Sequence, residues 1–246
     1  MRITDDLCLI ASGRLGFAMT DSYDCNVYAV RCGDEWVLID SGAGRDVDAM
    51  LHVADADGID VHQIKHVLLT HGHADHAGGC AALQHRQDVT VWASADVAGW
   101  VSQGDETAIS LDKARAAGGY PTDYRFSPCP VQQVVVANQN FVIGAKQITP
   151  IATPGHADGH LAYLMQAAGR SCLFVGDLIL CGGAVLLQYT WDCSIQKLGE
   201  SLLRLNEMQF DALFPGHFHF ALSGGRSHLQ TALQRIKVLL PPMQSQ

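Results

Sequence analysis

A mixed α/β sandwich is the fold class this sequence predicts, and three observations predict it. Short apolar runs of strand length come in meanders and not one by one between helices, which excludes a regular βαβ array. Segments with apolar residues at helical spacing interrupt those meanders at intervals. Several of the strands end in a tight turn followed by a histidine or an aspartate, the place where an open sheet presents its functional groups.

The elements follow in order along the 246 residues. The runs CNVYAVR at 25–31 and EWVLID at 35–40 read as two strands around the turn Cys32-Gly33-Asp34, a hairpin that opens the fold. After Ser41-Gly42-Ala43-Gly44, Val47, Met50, Leu51 and Ala54 recur at helical spacing. KHVLLT at 65–70 is an apolar strand, a short helical turn starts at Asp75, and VTVWA at 89–93 is a further strand. A polar, helix-prone stretch at about 94–130, broken by Gly118-Gly119-Tyr120-Pro121, has the character of an insertion that caps the remainder. Strand signals at 131–136, 141–143, 147–152, 161–166 and 171–175 lead to a helix at 195–206, a strand at 211–214 and a last helix at 225–239. Repeats, low-complexity tracts and linkers are absent from the sequence, so one domain over 1–246 is expected.

Composition narrows the function classes. Hydrophobic residues make up 48% and charged residues 17%, and no apolar run reaches the length of a membrane span. The opening MRITDDLCLIASG has two acids before its short apolar patch and makes a poor secretory signal, so a cytoplasmic location is expected. The eight cysteines, at 8, 25, 32, 80, 129, 172, 181 and 193, form no Cys-x-x-Cys pair and sit among apolar residues as reduced core thiols. A net charge of −9 without a basic run argues against nucleic acid as the ligand.

The stretch THGHADHAGG at 70–79 then stands out. Its His-x-His-x-Asp-His pattern arises by chance in only about 0.2 per cent of sequences of this composition. Imidazole nitrogen and carboxylate oxygen are compatible metal ligands, and His71 and His73 leave the same side of an extended segment. Asp75 and His76 follow on the first helical turn, so the two pairs of side chains can face two metals. Further ligands are expected at strand ends downstream, and Thr153-Pro154-Gly155-His156, Gly176-Asp177 and Pro215-Gly216-His217 supply them.

The order THGHADH, PGHADGH, FVGD, FPGH resembles the metallo-β-lactamase superfamily over nearly the whole chain. It is similar to the dinuclear hydrolase branch, with its four-layer αββα sandwich, that includes hydroxyacylglutathione hydrolases and acyl-homoserine lactonases. The resemblance implies that His71, His73 and His156 bind a first metal, that Asp75, His76 and His217 bind a second, and that Asp177 bridges both. It places Asp40 as the hydrogen-bond partner of a ligand histidine, while His160 reads as a hydrogen bonder rather than a ligand. Two divalent ions are implied, zinc first, with iron or manganese as alternatives. A water they share has a lowered pKa and serves as the nucleophile, with Asp75 as proton carrier. Cys193 is a rival nucleophile without an activating neighbour.

The chain departs from several branches of that superfamily. Asp177 is lacking in typical metallo-β-lactamases. Only 29 residues follow His217, too few for a glutathione-binding domain, and Leu180 stands where many lactonases carry tyrosine. The acidic charge disfavours the ribonuclease branch. The expected reaction is hydrolysis of a small ester, lactone or thioester, with β-lactam or phosphodiester as alternative substrates. A mononuclear iron sulfur dioxygenase and a non-catalytic signalling protein are the alternatives of other classes. The partner expected is a small-molecule acyl substrate, with no membrane and no nucleic acid; the oligomeric state is open, a dimer included. Trp100, Tyr120, Tyr124, Phe126, Trp191 and His219 are candidate pocket residues, the aromatic residues of 94–130 lining the pocket or packing the cap on the core.

Overall fold

The central strands are apolar on both faces, and that double burial builds the architecture. In the computed structural model, which describes residues 1–239, a seven-stranded sheet runs in sequence order. It comprises β1 (Arg2–Thr4), β2 (Leu7–Ala11), β3 (Val27–Cys32), β4 (Glu35–Ile39), β5 (Ile64–Leu68), β6 (Thr90–Ala93) and β7 (Gln133–Val134). A five-stranded sheet has the order β12-β11-β10-β9-β8, from β8 (Phe141–Ile143), β9 (Lys146–Ala152), β10 (Leu161–Ala167), β11 (Arg170–Gly176) and β12 (Ala212–Pro215). The first four strands pair antiparallel and β4 to β7 pair parallel; in the second sheet only β11 and β12 are parallel.

Side-chain alternation sorts each strand between two cores. Leu7 and Leu9 of β2, Tyr28 of β3 and Val37 of β4 face Tyr163, Cys172, Phe174 and Phe214 in the core between the sheets. Cys8, Ile10, Ala29 and Leu38 point outward, under helices α1 (Val47–Ala56), α3 (Cys80–Gln87) and α4 (Ala95–Gln103). On the far side Leu173, Val175 and Leu213 meet α6 (Ile195–Asn206) and α7 (Gly225–Leu239). The layers are therefore helix, sheet, sheet, helix, the four-layer αββα sandwich. Two short helices, α2 (Ala74–Ala77) and α5 (Leu111–Ala116), lie at the functional edge.

Local chemistry starts these elements where it should. Asp46 caps α1 by accepting from the Ala49 amide, and Ser194 caps α6 by accepting from Lys197. Leu198, Leu202 and Leu205 then form the buried stripe of α6. Gly33, at φ +83°, makes the tight turn that pairs Cys32 with Glu35.

The hairpin of β3 and β4 does not open the fold, because β1 and β2 precede it. LCLIA in β2 is buried on both faces and carries no alternation to mark it as a strand. The strand expected over 131–136 shrinks to the two exposed residues Gln133–Val134 at the sheet edge. Within 94–130, α4 buries Val97, Ala98 and Val101 as part of the outer helical layer. No helix among the described residues is long and apolar enough to cross a membrane.

The inter-sheet core depends on Phe174, wholly buried and stacked on Phe214 at 5.0 Å. Phe174→Ala should lower unfolding stability by about 3–5 kcal/mol in a denaturant titration.

Candidate metal centre

All the ligand-type side chains leave from C-terminal ends of strands, so two sheets that meet face to face deliver them to one edge. Asp40 follows β4, residues Thr70 to His76 follow β5, His156 follows β9, Asp177 follows β11 and His217 follows β12. Backbone bonds tie these loops together: the Leu161 amide donates to Thr70 O at 2.7 Å, Gly216 N to Gly176 O at 2.8 Å, and Asn26 N to Gly216 O at 2.7 Å. Asn26 Nδ2 and the Tyr28 hydroxyl also donate to Pro215 O.

Hydrogen bonds behind the imidazoles decide which nitrogen each presents. Thr70 Oγ1 has one proton, donated to the Asp40 carboxylate at 2.8 Å, so it accepts from His71 Nδ1 at 3.0 Å and leaves the Nε2 lone pair of His71 facing inward. His76 Nδ1 donates to Asp40 Oδ2 at 2.8 Å, and His156 Nδ1 to Leu186 O at 3.2 Å, with the same result. His73 turns its Nδ1 inward, 3.0 Å from His71 Nε2 and 3.1 Å from His156 Nε2. Burial, reinforced by the crowded imidazoles, holds His71 below the usual range and His73 down at about 3; at His156 burial prevails over the opposing Asp177 carboxylate, so the three rings are neutral.

The second group is charged. Asp177 Oδ1 lies 3.4 Å from His76 Nε2, while its Oδ2 lies 3.6 Å from His156 Nε2 and 3.2 Å from His217 Nε2. Asp75 Oδ2 is 3.1 Å from His217 Nε2 and 3.7 Å from His76 Nε2. Burial alone pushes His217 down, but the Asp177 and Asp75 carboxylates win and raise it to about 9. Burial works against ionisation of both aspartates too, and the facing imidazoles overcome it and hold them below the carboxylate range. Such mutual protonation is what a buried ligand set does when protons stand in for a cation.

The donor chemistry fits a divalent metal. Inward-facing neutral nitrogens at about 3 Å from one another satisfy nothing among themselves, and His76 Nε2 and Asp177 Oδ1 are buried with no hydrogen-bond partner. The sets His71-His73-His156, His71-His76-Asp177 and Asp75-His76-His217 each bring three ligand atoms within 4.8 Å. His160 is placed differently. Its Nδ1 donates to Thr153 Oγ1 at 2.8 Å and its Nε2 accepts the Asp177 amide at 3.3 Å, so both nitrogens are spent and the ring braces Asp177 from behind.

A cavity of about 540 Å³ opens onto this cluster through His73, Asp75, Asp177 and His217. Of the six pocket candidates only Tyr120 lines it. Tyr124 is buried and donates to Ala43 O at 2.7 Å, and Phe126 is buried in the outer core. Trp100 and Trp191 pack edge to face at 5.9 Å, with Trp191 Nε1 donating to Ala108 O, and His219 is exposed beyond the lining. Their places are taken by Ile109, Leu111 and Leu186, and by Leu15 and Tyr23 from the loop between β2 and β3, which carries no sequence signal for this role. Thr70 escaped the sequence reading although it adjoins His71. Cys25, grouped with Asp40 and His76, has a thiol pushed up to about 12 by burial. Cys193 is outside the cavity lining, its sulfur accepting from the Gln188 amide.

The chain belongs to the metallo-beta-lactamase superfamily, whose profile matches residues 21–217. It is 27% identical over 192 residues to an atrochrysone carboxyl ACP thioesterase of Aspergillus fumigatus, covering 78% of this chain and 50% of the relative. It is 28% identical over 193 residues to the thioesterase pkgB of Emericella nidulans, covering 78% and 45%. The chain thus spans about half the length of these curated relatives. Among solved structures, the native FEZ-1 metallo-beta-lactamase of Legionella gormanii superposes with a TM-score of 0.70 at 16% identity, covering 95% of both chains. A B3 metallo-beta-lactamase with an active-site glutamic acid superposes with a TM-score of 0.72 at 22% identity, covering 97% and 88%. These likenesses show the shared fold.

Two substitutions test the support of the cluster. A methyl group on Gly216 would meet Asp177 Oδ1 and, at 2.6 Å, His76 Cε1. Gly216→Ala should therefore weaken metal retention against a chelator at least about tenfold while circular dichroism stays native. Asp40→Asn should cost about 10–100-fold in metal affinity, because an amide can present its NH₂ to the His76 Nδ1 proton and loses the charge that orients it.

Proposed function

We propose that this chain is a metal-dependent hydrolase of small acyl substrates, thioesters first and esters and lactones next, holding two divalent cations, zinc foremost. The observation that carries this reading is Asp177, a buried carboxylate whose two oxygens face histidines of both groups. In this reading His71, His73 and His156 hold one cation, Asp75, His76 and His217 hold the other, and Asp177 joins them. The bound cations supply a water of lowered pKa and Lewis acidity toward an acyl oxygen.

The protein's own groups do the rest. Asp75 is the more accessible carboxylate, at 19% side-chain exposure against 3% for Asp177, and it borders the cavity. It takes the proton of the attacking water and returns it to the leaving sulfur or oxygen, so that neither a serine nor a cysteine nucleophile is required. Ile109, Leu111 and Leu186 give the acyl group an apolar wall and exclude water around the reacting carbonyl. Within the stretch 94–130, residues 109–120 act as the cap, since Ile109, Leu111 and Tyr120 belong to that wall. Burial and the adjacent Asp75 hold the Tyr120 phenol well above its ordinary range, so it stays a protonated donor at the cavity wall. The thioesterase names of the two relatives favour sulfur as the leaving atom.

Elemental analysis of the metal-replete protein together with a substrate panel tests this reading. Two zinc ions per chain are expected, with kcat/KM for acyl thioesters, aryl esters or lactones at least about tenfold above that for phosphodiesters and β-lactams. A single iron per chain would point to dioxygenase chemistry, and a phosphodiester or β-lactam as best substrate would overturn the acyl assignment.

A further inference from the structure

The cavity changes character from floor to rim. Its floor holds the carboxylates of Asp75 and Asp177, each faced by imidazoles. A third acid of the lining, Asp24, is also engaged, accepting from Thr20 Oγ1 at 2.6 Å and from the Ala43 amide at 2.8 Å. The rim carries two cations, Arg14 from the loop between β2 and β3 and Lys113 from α5. Neither has a carboxylate within ion-pair distance among the described residues, whereas Arg45 nearby is paired with Asp21.

Arg14 is also held in place. Its guanidinium lies 4.8 Å over the Tyr23 ring and Nη2 reaches Gly119 O at 3.5 Å. Tyr23 stacks on Tyr120 at 5.5 Å, and Tyr120 on Tyr124 at 5.0 Å. A guanidinium fixed against an aromatic stack keeps most of its donors free for a planar anion, with less entropy to lose on binding. Leu15, Leu187 and Tyr189 of the same lining are 45%, 50% and 97% exposed, so the cavity's exposed lining carries apolar side chains beside the cations. The hydroxyls of Ser110 and Thr190, also in the lining, have no protein partner, and a single torsion in each offers further donors.

In a chain of net charge −9, an anion gains nothing from the overall field and needs local cations to approach. We propose that Arg14 and Lys113 form an anion subsite at the cavity mouth, so that the preferred substrate carries a carboxylate or phosphate at the end of an apolar arm remote from the scissile carbonyl. This rests on the acyl hydrolase reading and adds the charge of the substrate to it.

Matched thioesters separate the sources of the anion. S-butyryl glutathione carries carboxylates on the thiol side, butyryl coenzyme A carries phosphates there, the glutaryl thioester of N-acetylcysteamine carries a carboxylate on the acyl side, and its butyryl thioester is neutral. At least one anionic member should exceed the neutral one in kcat/KM through a lower KM. That preference should fall about tenfold in Arg14→Gln with Lys113→Gln, invert in Arg14→Glu, and fade as salt rises. Lys65→Gln, an exposed cation away from the cavity, should leave the ratio unchanged. A wild-type preference for the neutral thioester, or a ratio indifferent to Arg14 and Lys113, overturns the subsite. If no acyl compound is hydrolysed, the hydrolase reading falls and binding decides the subsite alone. Calorimetry with S-butyl glutathione against neutral S-butyl-N-acetylcysteamine, neither of them cleavable, should then show tighter binding of the anion that is lost in the double variant, and equal binding of the two overturns it.

Discussion

The metal centre depends on one buried carboxylate at the end of a central strand. Asp40 sits at φ +64°, a left-handed conformation that costs an L-residue about 1–2 kcal/mol. It is held there by the Thr70 amide, the Thr70 hydroxyl and His76 Nδ1. Through that single group β4 dictates the path of the loop after β5, the tautomer of His76 and, by way of Thr70, the tautomer of His71. Strain at such a position persists because several hydrogen bonds determine it together, and here those of the Thr70 hydroxyl and His76 also orient candidate ligand nitrogens.

The electrostatic problem of the site follows from that arrangement. Two carboxylates and several imidazoles are removed from water in a small volume, at a desolvation cost that isolated charges do not recover in a protein interior. The chain answers by sorting its histidines. His71, His73 and His156 stay neutral, and His76 and His217, which face both Asp75 and Asp177, take up protons. Both sorts are chemically suited to a cation: the neutral rings already present a lone pair, and the protonated ones would release a proton on binding it. The bare Cα atoms of Gly44, Gly79 and Gly216 let the loops approach closely enough for this to happen: Gly79 passes under Ser41, and Gly216 lies against the Asp177 carboxylate.

The cavity wall is built from different material. The ligands stand at the ends of strands packed on both faces, whereas the cavity wall joins the loop before β3, the residues around α5 and the segment after β11. The stack of Tyr23, Tyr120 and Tyr124 joins two of these regions and carries Arg14 to the rim. This separation sets a wall of loop residues on a rigid frame of candidate ligands.

How much of this was legible in the sequence follows from the range of the interactions involved. The cluster of candidate ligands was legible because each member stands beside a strand end, a glycine or a proline, and because imidazole and carboxylate are chemically specific choices in a dense local pattern. The β3–β4 hairpin, β8, and the helices α6 and α7 were legible for the same local reasons, turn chemistry and amphipathic spacing. β2 was not, since burial on both faces erases the alternation by which a strand is read. The pocket was not either: Trp100, Tyr124, Phe126 and Trp191 have the composition of a pocket wall, yet packing turns them into the core or against each other. Arg14 meets Gly119 at a separation of 105 positions. The sequence by itself determined the fold class and which imidazoles and carboxylates are candidates for one site, because these rest on periodicity and on residue chemistry. Only the tertiary structure decided which nitrogen each histidine presents and which side chains face the cavity, because those depend on packing between segments that no local pattern connects.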